Sequence, residues 1–174
     1  MLLRYKKLND DAIEPTYGSD GAAGLDLYSA GDYVINVGET VMIHTGIAVE
    51  IPPGYFGAVY ARSGLASKKG LRPANCVGVI DADYRGELIV ALHNDTICTL
   101  GTVKKGDRIA QLVIQPCMSV VLQEVGALSE SARGAGGFGS TDKPKNANID
   151  FANSVFDYEQ ITLYDILKTN GDNK

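Results

Sequence analysis

Residues 40 to 51 of this chain read Thr-Val-Met-Ile-His-Thr-Gly-Ile-Ala-Val-Glu-Ile, and their pattern indicates a β-strand. Side chains alternate between the two faces of a strand, so apolar residues of one parity predict a face packed on a core. The apolar residues of one parity are Val41, Ile43, Ile47, Val49 and Ile51. The Pro-Pro-Gly at 52–54 follows and ends the predicted strand.

Similar short apolar runs continue along the chain, and most of its 20 glycines stand between them. Further strands are predicted at 33–37, 57–61, 75–80, 87–93, 108–115 and 120–125. Helices are predicted only at 63–69 and 157–169. Many short strands at this spacing favour an all-β fold, as a sandwich, barrel or jelly roll.

The chain of 174 residues is long enough for one domain with tails. Beyond residue 126 the composition becomes small, polar and Gly-rich. We therefore predict a β core at 1–126, a flexible Gly-rich arm at 127–142, and a C-terminal extension of unknown role at 143–174.

The bulk properties exclude several classes of partner. The net charge of −5 comes without a basic stripe, which argues against a nucleic-acid partner. Apolar runs fall short of the roughly 20 residues that span a bilayer, so no membrane insertion is expected. The first residues lack the pattern of a secretory signal, which predicts a cytoplasmic protein.

The odd set of three cysteines, Cys76, Cys98 and Cys117, has no metal-ligand spacing, and the thiols are predicted to be buried. His44 and His93 have no companion ligand nearby in the sequence and are predicted to be structural.

The stretch at 78–86, Gly-Val-Ile-Asp-Ala-Asp-Tyr-Arg-Gly, places two carboxylates, a phenol and a guanidinium at the bend of a predicted β-hairpin. Its strands would be 75–80 and 87–93. An aspartate beside a turn is commonly structural, because its side chain bonds backbone N–H groups. A catalytic interpretation therefore needs support from elsewhere in the chain.

Three other stretches carry polar groups in informative places. Arg62-Ser63-Gly64 stands where a strand gives way to a helix, which suits either an anion site or an ordinary Ser63 N-cap. Gln111 interrupts the apolar face of its strand and requires a hydrogen-bond partner. Asp26 lies among apolar residues and requires an arginine or a hydrated metal ion as its partner, and we expect an arginine.

The Gly-rich stretch at 133–141 formally matches the G-x-G-x-x-G pattern of dinucleotide-binding proteins. That interpretation fails, because the pattern must open a helix and the Ser-Thr-Asp-Lys-Pro at 140–144 cannot. The arm is better explained as a loop that wraps an anion through Arg133, Ser140 and Thr141, with Phe138 facing a base. The alternative is a disordered linker with an incidental phenylalanine.

Taken in order, the stretches at 23–27, 62–66, 78–86, 106–111 and 133–141 resemble the five motifs of the trimeric dUTPases. The resemblance implies a homotrimer of jelly-roll subunits that hydrolyses dUTP to dUMP and pyrophosphate with Mg²⁺. It also implies that each active site is built from motifs of all three chains.

The resemblance implies a role for each matching residue. Asp81 would be the general base for a water that attacks the α-phosphorus, with Asp83 as the secondary candidate. Asn75 would pair with uracil, and Tyr84 would pack under the deoxyribose. The phosphates and water would be bound by Arg62, Ser63, Gly64 and Gln111, and the arm would contribute Arg133, Phe138, Gly139, Ser140 and Thr141. Phe138 would close over the uracil, and Asp26 would lie near a Mg²⁺ held mainly by phosphates and water.

Two features depart from the family pattern. Asp142 directly follows the arm and would repel a triphosphate unless it is turned away. The extension at 143–174 has no motif counterpart, and it would either pack on a subunit or bind another protein.

Two other functions stay open at this point. The first is a dCTP deaminase or a bifunctional dCTP deaminase and dUTPase. The second is a nucleotide-sensing interaction protein that acts through its tail. Ammonia release from dCTP, or nucleotide binding without turnover, would distinguish them.

Overall fold

The structure, a computed structural model, describes residues 1–138 and shows eleven strands and one short helix within them. The elements are β1 (Arg4–Lys7), β2 (Thr16–Tyr17), β3 (Leu25–Tyr28), β4 (Tyr33–Ile35), β5 (Thr40–Glu50), β6 (Tyr55–Tyr60), α1 (Ser63–Lys69), β7 (Leu71–Pro73), β8 (Val77–Ile80), β9 (Glu87–Asn94), β10 (Gly101–Val103) and β11 (Arg108–Pro116). The all-β prediction is confirmed. The helix predicted at 157–169 lies outside the described residues. In the described range no helix has the length and apolar character needed to cross a bilayer.

The chain divides into two compact units, Met1–Leu122 and Gln123–Lys174. All of the described strands and the described helix belong to the first unit. Of the second unit the structure describes residues 123–138.

Three antiparallel sheets form the first unit. Their strand orders are β1-β5-β9-β7, β2-β3-β11-β6-β8 and β10-β4. All three contribute to one apolar cluster, with Leu92 from the four-stranded sheet, Leu112 from the five-stranded sheet and Ile35 from the two-stranded sheet, all fully buried. The shared core explains why each strand carries apolar residues on one face, and the arrangement is that of a jelly roll.

Strand β5 has the predicted parity but is not regular. Ile43, Ile47 and Val49 are buried as expected, whereas the pairing register with β9 shifts between His44 and Ala48. Gly46 lies within this bulge with a φ of +68°. A Cβ atom there would lie 2.8 Å from both the Ala12 Cβ and the Asn9 Oδ1 atoms, so both the backbone conformation and the space require glycine.

The predicted hairpin between 75–80 and 87–93 is wrong. β8 pairs with β6 in the five-stranded sheet, whereas β9 pairs with β5 and β7 in the four-stranded sheet. The cause is a tight turn before β8, where the Val77 N–H donates to the Asn75 carbonyl at 2.6 Å and Cys76 has a φ of +62°. This turn directs the chain from one sheet to the other, and residues 81–86 return it.

The strand predicted at 120–125 is also wrong, because the described chain offers no partner strand for it. Strands need a ladder of backbone hydrogen bonds as well as apolar side chains. The apolar side chains of this region, Met118, Val120, Val121 and Leu122, are highly exposed.

The prediction of buried thiols is contradicted as well, since all three cysteines are exposed. Cys76 lies in the tight turn before β8, Cys98 in the loop after β9, and Cys117 just past the end of β11. All three cysteines therefore lie outside the strands, where side chains do not alternate between a buried and an exposed face.

Replacing Gly46 by alanine should destabilise the protein by about 2–4 kcal/mol, from backbone strain and overcrowding together. Gly38→Ala is the matched control, because Gly38 also has a positive φ, +72°, but a methyl group added there would meet no atom within 4 Å. It should cost only about 1 kcal/mol. Denaturant unfolding at one protein concentration measures both, and equal losses would contradict the crowding at the bulge.

Candidate active site

An open cavity of about 600 Å³ is bounded by β3, the junction of β6 with α1, and β11. This volume is in the range of small-molecule sites. The cavity brings together five of the residues predicted from the sequence: Asp26, Arg62, Ser63, Gly64 and Gln111. It is also lined by Lys69, Asp107 and Arg108, so cationic groups outnumber carboxylates there.

Asp26 is the most buried charge in the cavity wall and is paired with two arginines. Its Oδ1 atom accepts from Arg62 Nε at 2.8 Å, and its Oδ2 atom accepts from Arg108 Nη1 at 3.3 Å. The carboxylate is 9% exposed, so it would be costly without these partners. The prediction that Asp26 pairs with an arginine is confirmed. The Arg62 guanidinium group has further N–H donors besides the one that binds Asp26, and these can bind an anion.

Ser63 is the first residue of α1 and not its cap. The N-cap is Arg62, with φ −84° and ψ 128°, and its side chain makes no capping hydrogen bond. The N-cap interpretation of Ser63 is therefore wrong. Ser63 and Gly64 are exposed where the helix begins, on the cavity wall. A hydroxyl group and backbone N–H groups at this place can bind an anion.

Gln111 has the partner that its position requires. On β11 it lies opposite Asp26 of β3 on one side and opposite Tyr60 of β6 on the other. Its Nε2 atom donates to the Ala61 carbonyl oxygen at 2.8 Å. This bond holds the amide at the end of β6, next to the start of the helix.

The turn at 81–86 carries the other predicted residues. The Tyr84 N–H donates to the Asp81 carbonyl at 3.2 Å, which closes the turn and leaves the Asp81 side chain exposed. The Tyr84 hydroxyl donates to the Glu87 carbonyl at 3.0 Å. Asn75 is exposed at the turn before β8, and Asp83 is also exposed. None of these residues lines the cavity of Arg62.

Glu87 fastens the end of this turn to the bulge of β5. Its Oε1 atom accepts from the Gly46 N–H at 2.7 Å, and its Oε2 atom lies 2.8 Å from His44 Nδ1. Partial burial by itself would raise the pKa of Glu87, but the hydrogen bonds from His44 and Gly46 outweigh it and hold the pKa below its ordinary value.

In the second unit, Arg133 and Phe138 are the predicted substrate-binding residues of the arm that the structure describes. Arg133 Nε donates to the Gly136 carbonyl at 2.8 Å, within a local turn, and Phe138 is fully exposed. Gly139, Ser140 and Thr141 lie outside the described residues.

The sequence interpretation gave no role to Asp107 and Arg108, although both lie in the stretch at 106–111, and it missed two further groups. Lys69 lines the cavity from the last turn of α1. The signal in the sequence was the short predicted helix, because the two ends of a seven-residue helix can line the same cavity. Glu87 and His44 were missed because their contact joins residues 43 positions apart. Within residues 1–138 no three His, Cys, Asp or Glu side chains are grouped closely enough to hold a metal ion.

Fold and cavity together define a class: jelly-roll proteins with an arginine-lined open site beside the helix that follows a strand. Comparison with known proteins is more specific. The dUTPase family model matches residues 10–142. The chain therefore belongs to the dUTPase family.

Relatives and solved structures agree with this assignment. The deoxyuridine 5'-triphosphate nucleotidohydrolase of Nautilia profundicola is 48% identical, over 82% of this chain and 100% of that protein. The enzyme of the same name from Thermobifida fusca is 48% identical, over 78% and 76%. A structure of the dUTPase of Staphylococcus phage 80α superposes with a TM-score of 0.75 at 32% identity, over 80% of this chain and 98% of that one.

Asp26→Asn should lower stability by about 1–3 kcal/mol, because it leaves the partly exposed Arg62 and Arg108 without the buried carboxylate that they share. The control is Glu50→Gln, which removes an ion pair with Arg4 that is exposed on both sides and should cost at most about 1 kcal/mol. Thermal unfolding of both variants measures the difference. Equal losses would show that the Asp26 pairs are no more important than surface pairs.

Proposed function

We propose that this protein hydrolyses dUTP to dUMP and pyrophosphate with Mg²⁺, as a homotrimer. The observation that carries the proposal is the cavity that unites Asp26, Arg62, Ser63, Gly64 and Gln111, in a chain whose family match spans every motif stretch. The curated relatives bear the name of this reaction.

Asp81 acts as the general base in this mechanism. Its exposed carboxylate accepts a proton from a water molecule, whose oxygen then bonds to the α-phosphorus. The bond from that phosphorus to the oxygen bridging the α- and β-phosphates breaks, and pyrophosphate leaves. Gln111 and Ser63 orient the water and the phosphate chain, and Arg62 stabilises the charge on it.

The backbone next to Asn75 recognises the base. β8 is at the end of its sheet, so within the described residues its outer edge pairs with no strand. Edge N–H and C=O groups, together with the Asn75 amide, offer uracil the hydrogen bonds that it needs and offer cytosine the wrong pattern. Tyr84 packs under the deoxyribose and excludes a 2′-hydroxyl group.

Assembly from several chains explains how the two groups of residues act together. In one chain the turn of Asp81 and Tyr84 does not line the cavity of Arg62. The exposed apolar residues at 118–122, with Val77 and Val79, are suited to burial against other subunits. The site is therefore completed in the trimer, where the arm adds Arg133, Phe138, Gly139, Ser140 and Thr141.

The donor set of the cavity fits Mg²⁺ held by the substrate. The described residues contain no group of side chains that could hold a metal ion by themselves, and Asp26 already accepts hydrogen bonds from two guanidinium groups. Mg²⁺ usually keeps several waters and takes phosphate oxygens as ligands. When bound, it would neutralise charge on the triphosphate, and Asp26 would lie near its waters. A structure of the phage φ11 dUTPase, similar at a TM-score of 0.70, is described as showing a structural Mg(II) ion.

Pyrophosphate release from dUTP, dTTP, dCTP and UTP, with and without Mg²⁺, tests the proposed activity. We expect turnover of dUTP alone, and only with the metal ion. Ammonia release from dCTP would instead identify a deaminase, and absence of turnover of dUTP would contradict the proposal.

Asp81→Asn should lower kcat by about 10²–10⁴-fold with a far smaller change in KM, because a general base acts mainly in the transition state. Steady-state kinetics with dUTP measure both constants. Asp83→Asn is the control, and it should leave kcat within a few fold of the wild type. A larger loss in the Asp83 variant would reassign the base.

The extension at 143–174 lies outside the family match and is proposed to bind a protein partner. Structures of phage 80α dUTPase are described as belonging to proteins that control the transfer of virulence genes, so a second role has a precedent in this fold. A chain that ends at residue 145 should keep both its turnover and its trimeric mass by light scattering. Loss of either would show that the extension serves the enzyme itself.

A further inference from the structure

We infer that Glu87 is a positioning residue for Tyr84, and through it a determinant of discrimination between dUTP and UTP. The inference deepens the proposed function and rests on it, since it assumes that the Tyr84 ring faces the sugar. Glu87 itself lies outside the predicted substrate-binding residues, and its side chain points at β5.

One end of the link is the Glu87 carboxylate, which uses both oxygens on the same bulge. Oε1 accepts from the Gly46 N–H at 2.7 Å, and Oε2 contacts His44 Nδ1 at 2.8 Å. The side chain is only 19% exposed, so water competes poorly for these bonds. A carboxylate held at two points fixes the first residue of β9 in place.

The bulge is a firm anchor. The Gly46 carbonyl accepts from the Leu8 N–H at 2.8 Å, and the Gly46 Cα faces Asn9 and Ala12 closely enough to exclude a side chain. The Thr45 hydroxyl donates to the Leu88 carbonyl at 2.6 Å. The bulge is therefore joined both to the segment that follows β1 and to the residue next to Glu87.

The other end of the link is the Glu87 carbonyl, which accepts from the Tyr84 hydroxyl at 3.0 Å. The phenol lies against Gly86, where a Cβ atom would be 2.4 Å from the hydroxyl oxygen. The ring is thus held in two ways: it packs against Gly86, and its hydroxyl group is hydrogen-bonded to the Glu87 carbonyl. The carbonyl belongs to the residue whose side chain is fastened to the bulge.

The functional consequence follows from the small difference between the two substrates. dUTP and UTP differ by one hydroxyl group, which a rigid ring rejects by contact and a mobile ring accommodates. Removal of the Glu87 carboxylate takes away one of the restraints on the start of β9, so the Tyr84 ring is positioned less firmly. Rejection of the 2′-hydroxyl should then weaken more than the chemical step does.

The test compares kcat/KM for dUTP and for UTP in the wild type, Glu87→Ala, Glu87→Gln and Glu39→Ala. The last is a matched control, because the Glu39 Oε2 atom also accepts a backbone N–H, from Asn36 at 2.8 Å, in a turn away from the site. We expect the dUTP preference of Glu87→Ala to fall about 5- to 10-fold, mainly through KM, as for the loss of a hydrogen bond. Glu39→Ala should keep the wild-type preference, and Glu87→Gln, which retains an acceptor for Gly46, should lie between.

A double-mutant cycle with Tyr84→Phe separates positioning from general destabilisation. Tyr84→Phe removes the hydroxyl that binds the Glu87 carbonyl, so it should lower the preference in the wild type but add little in the Glu87→Ala background. Additive losses, or an unchanged preference in Glu87→Ala, would overturn the inference while the wild type still turns over dUTP. A wild type that does not turn over dUTP would instead overturn the proposed function.

Discussion

A single buried carboxylate organises the candidate active site. Asp26 bonds Arg62 at the end of β6 and Arg108 at the start of β11, so it joins three neighbouring segments of the five-stranded sheet. The pairs are required because an unpaired charge at this depth is costly. Arg62 also occupies the N-cap position of α1, so the residue paired with Asp26 directly precedes the helix. The positions of Ser63 and Gly64 on the cavity wall follow from where the helix begins.

The path of the chain between the two large sheets explains why the predicted site residues fall into two groups. β8 and β9 are neighbours in sequence but belong to different sheets, and the turn between them carries Asp81 and Tyr84. Because β8 and β9 do not pair with each other, no hydrogen bonds of a hairpin ladder hold the turn in place. Its support comes instead from Glu87 and the bulge of β5, and from Gly86 beneath the Tyr84 ring. A site divided in this way is consistent with completion by other subunits.

Local patterns predicted the regular parts of the fold. The strong strands β5, β9 and β11 were found from periodicity, and the helix α1 from its place after the end of a strand. The need of Asp26 and Gln111 for partners followed from their apolar surroundings. The missed features depend on contacts distant in sequence. Strands such as β1 and β10 are too short to show a period, and the choice of partner for β8 depends on the positive φ of Cys76, which no residue preference announces. The run at 120–125 has the composition of a strand but pairs with no strand among residues 1–138.

The central claim is that the cavity of Arg62 and Ser63 binds the phosphates and that Asp81, in the turn at 81–86, is the base. A crystal structure of the full chain with Mg²⁺ and dUpNHpp, in which NH replaces the oxygen between the α- and β-phosphorus atoms, tests it most directly. The account predicts the triphosphate against Arg62 and Ser63, and an Asp81 carboxylate in hydrogen-bond contact with a water in line with the α-phosphorus. An Asp81 side chain turned away from that phosphorus, or phosphates bound outside this cavity, would contradict it.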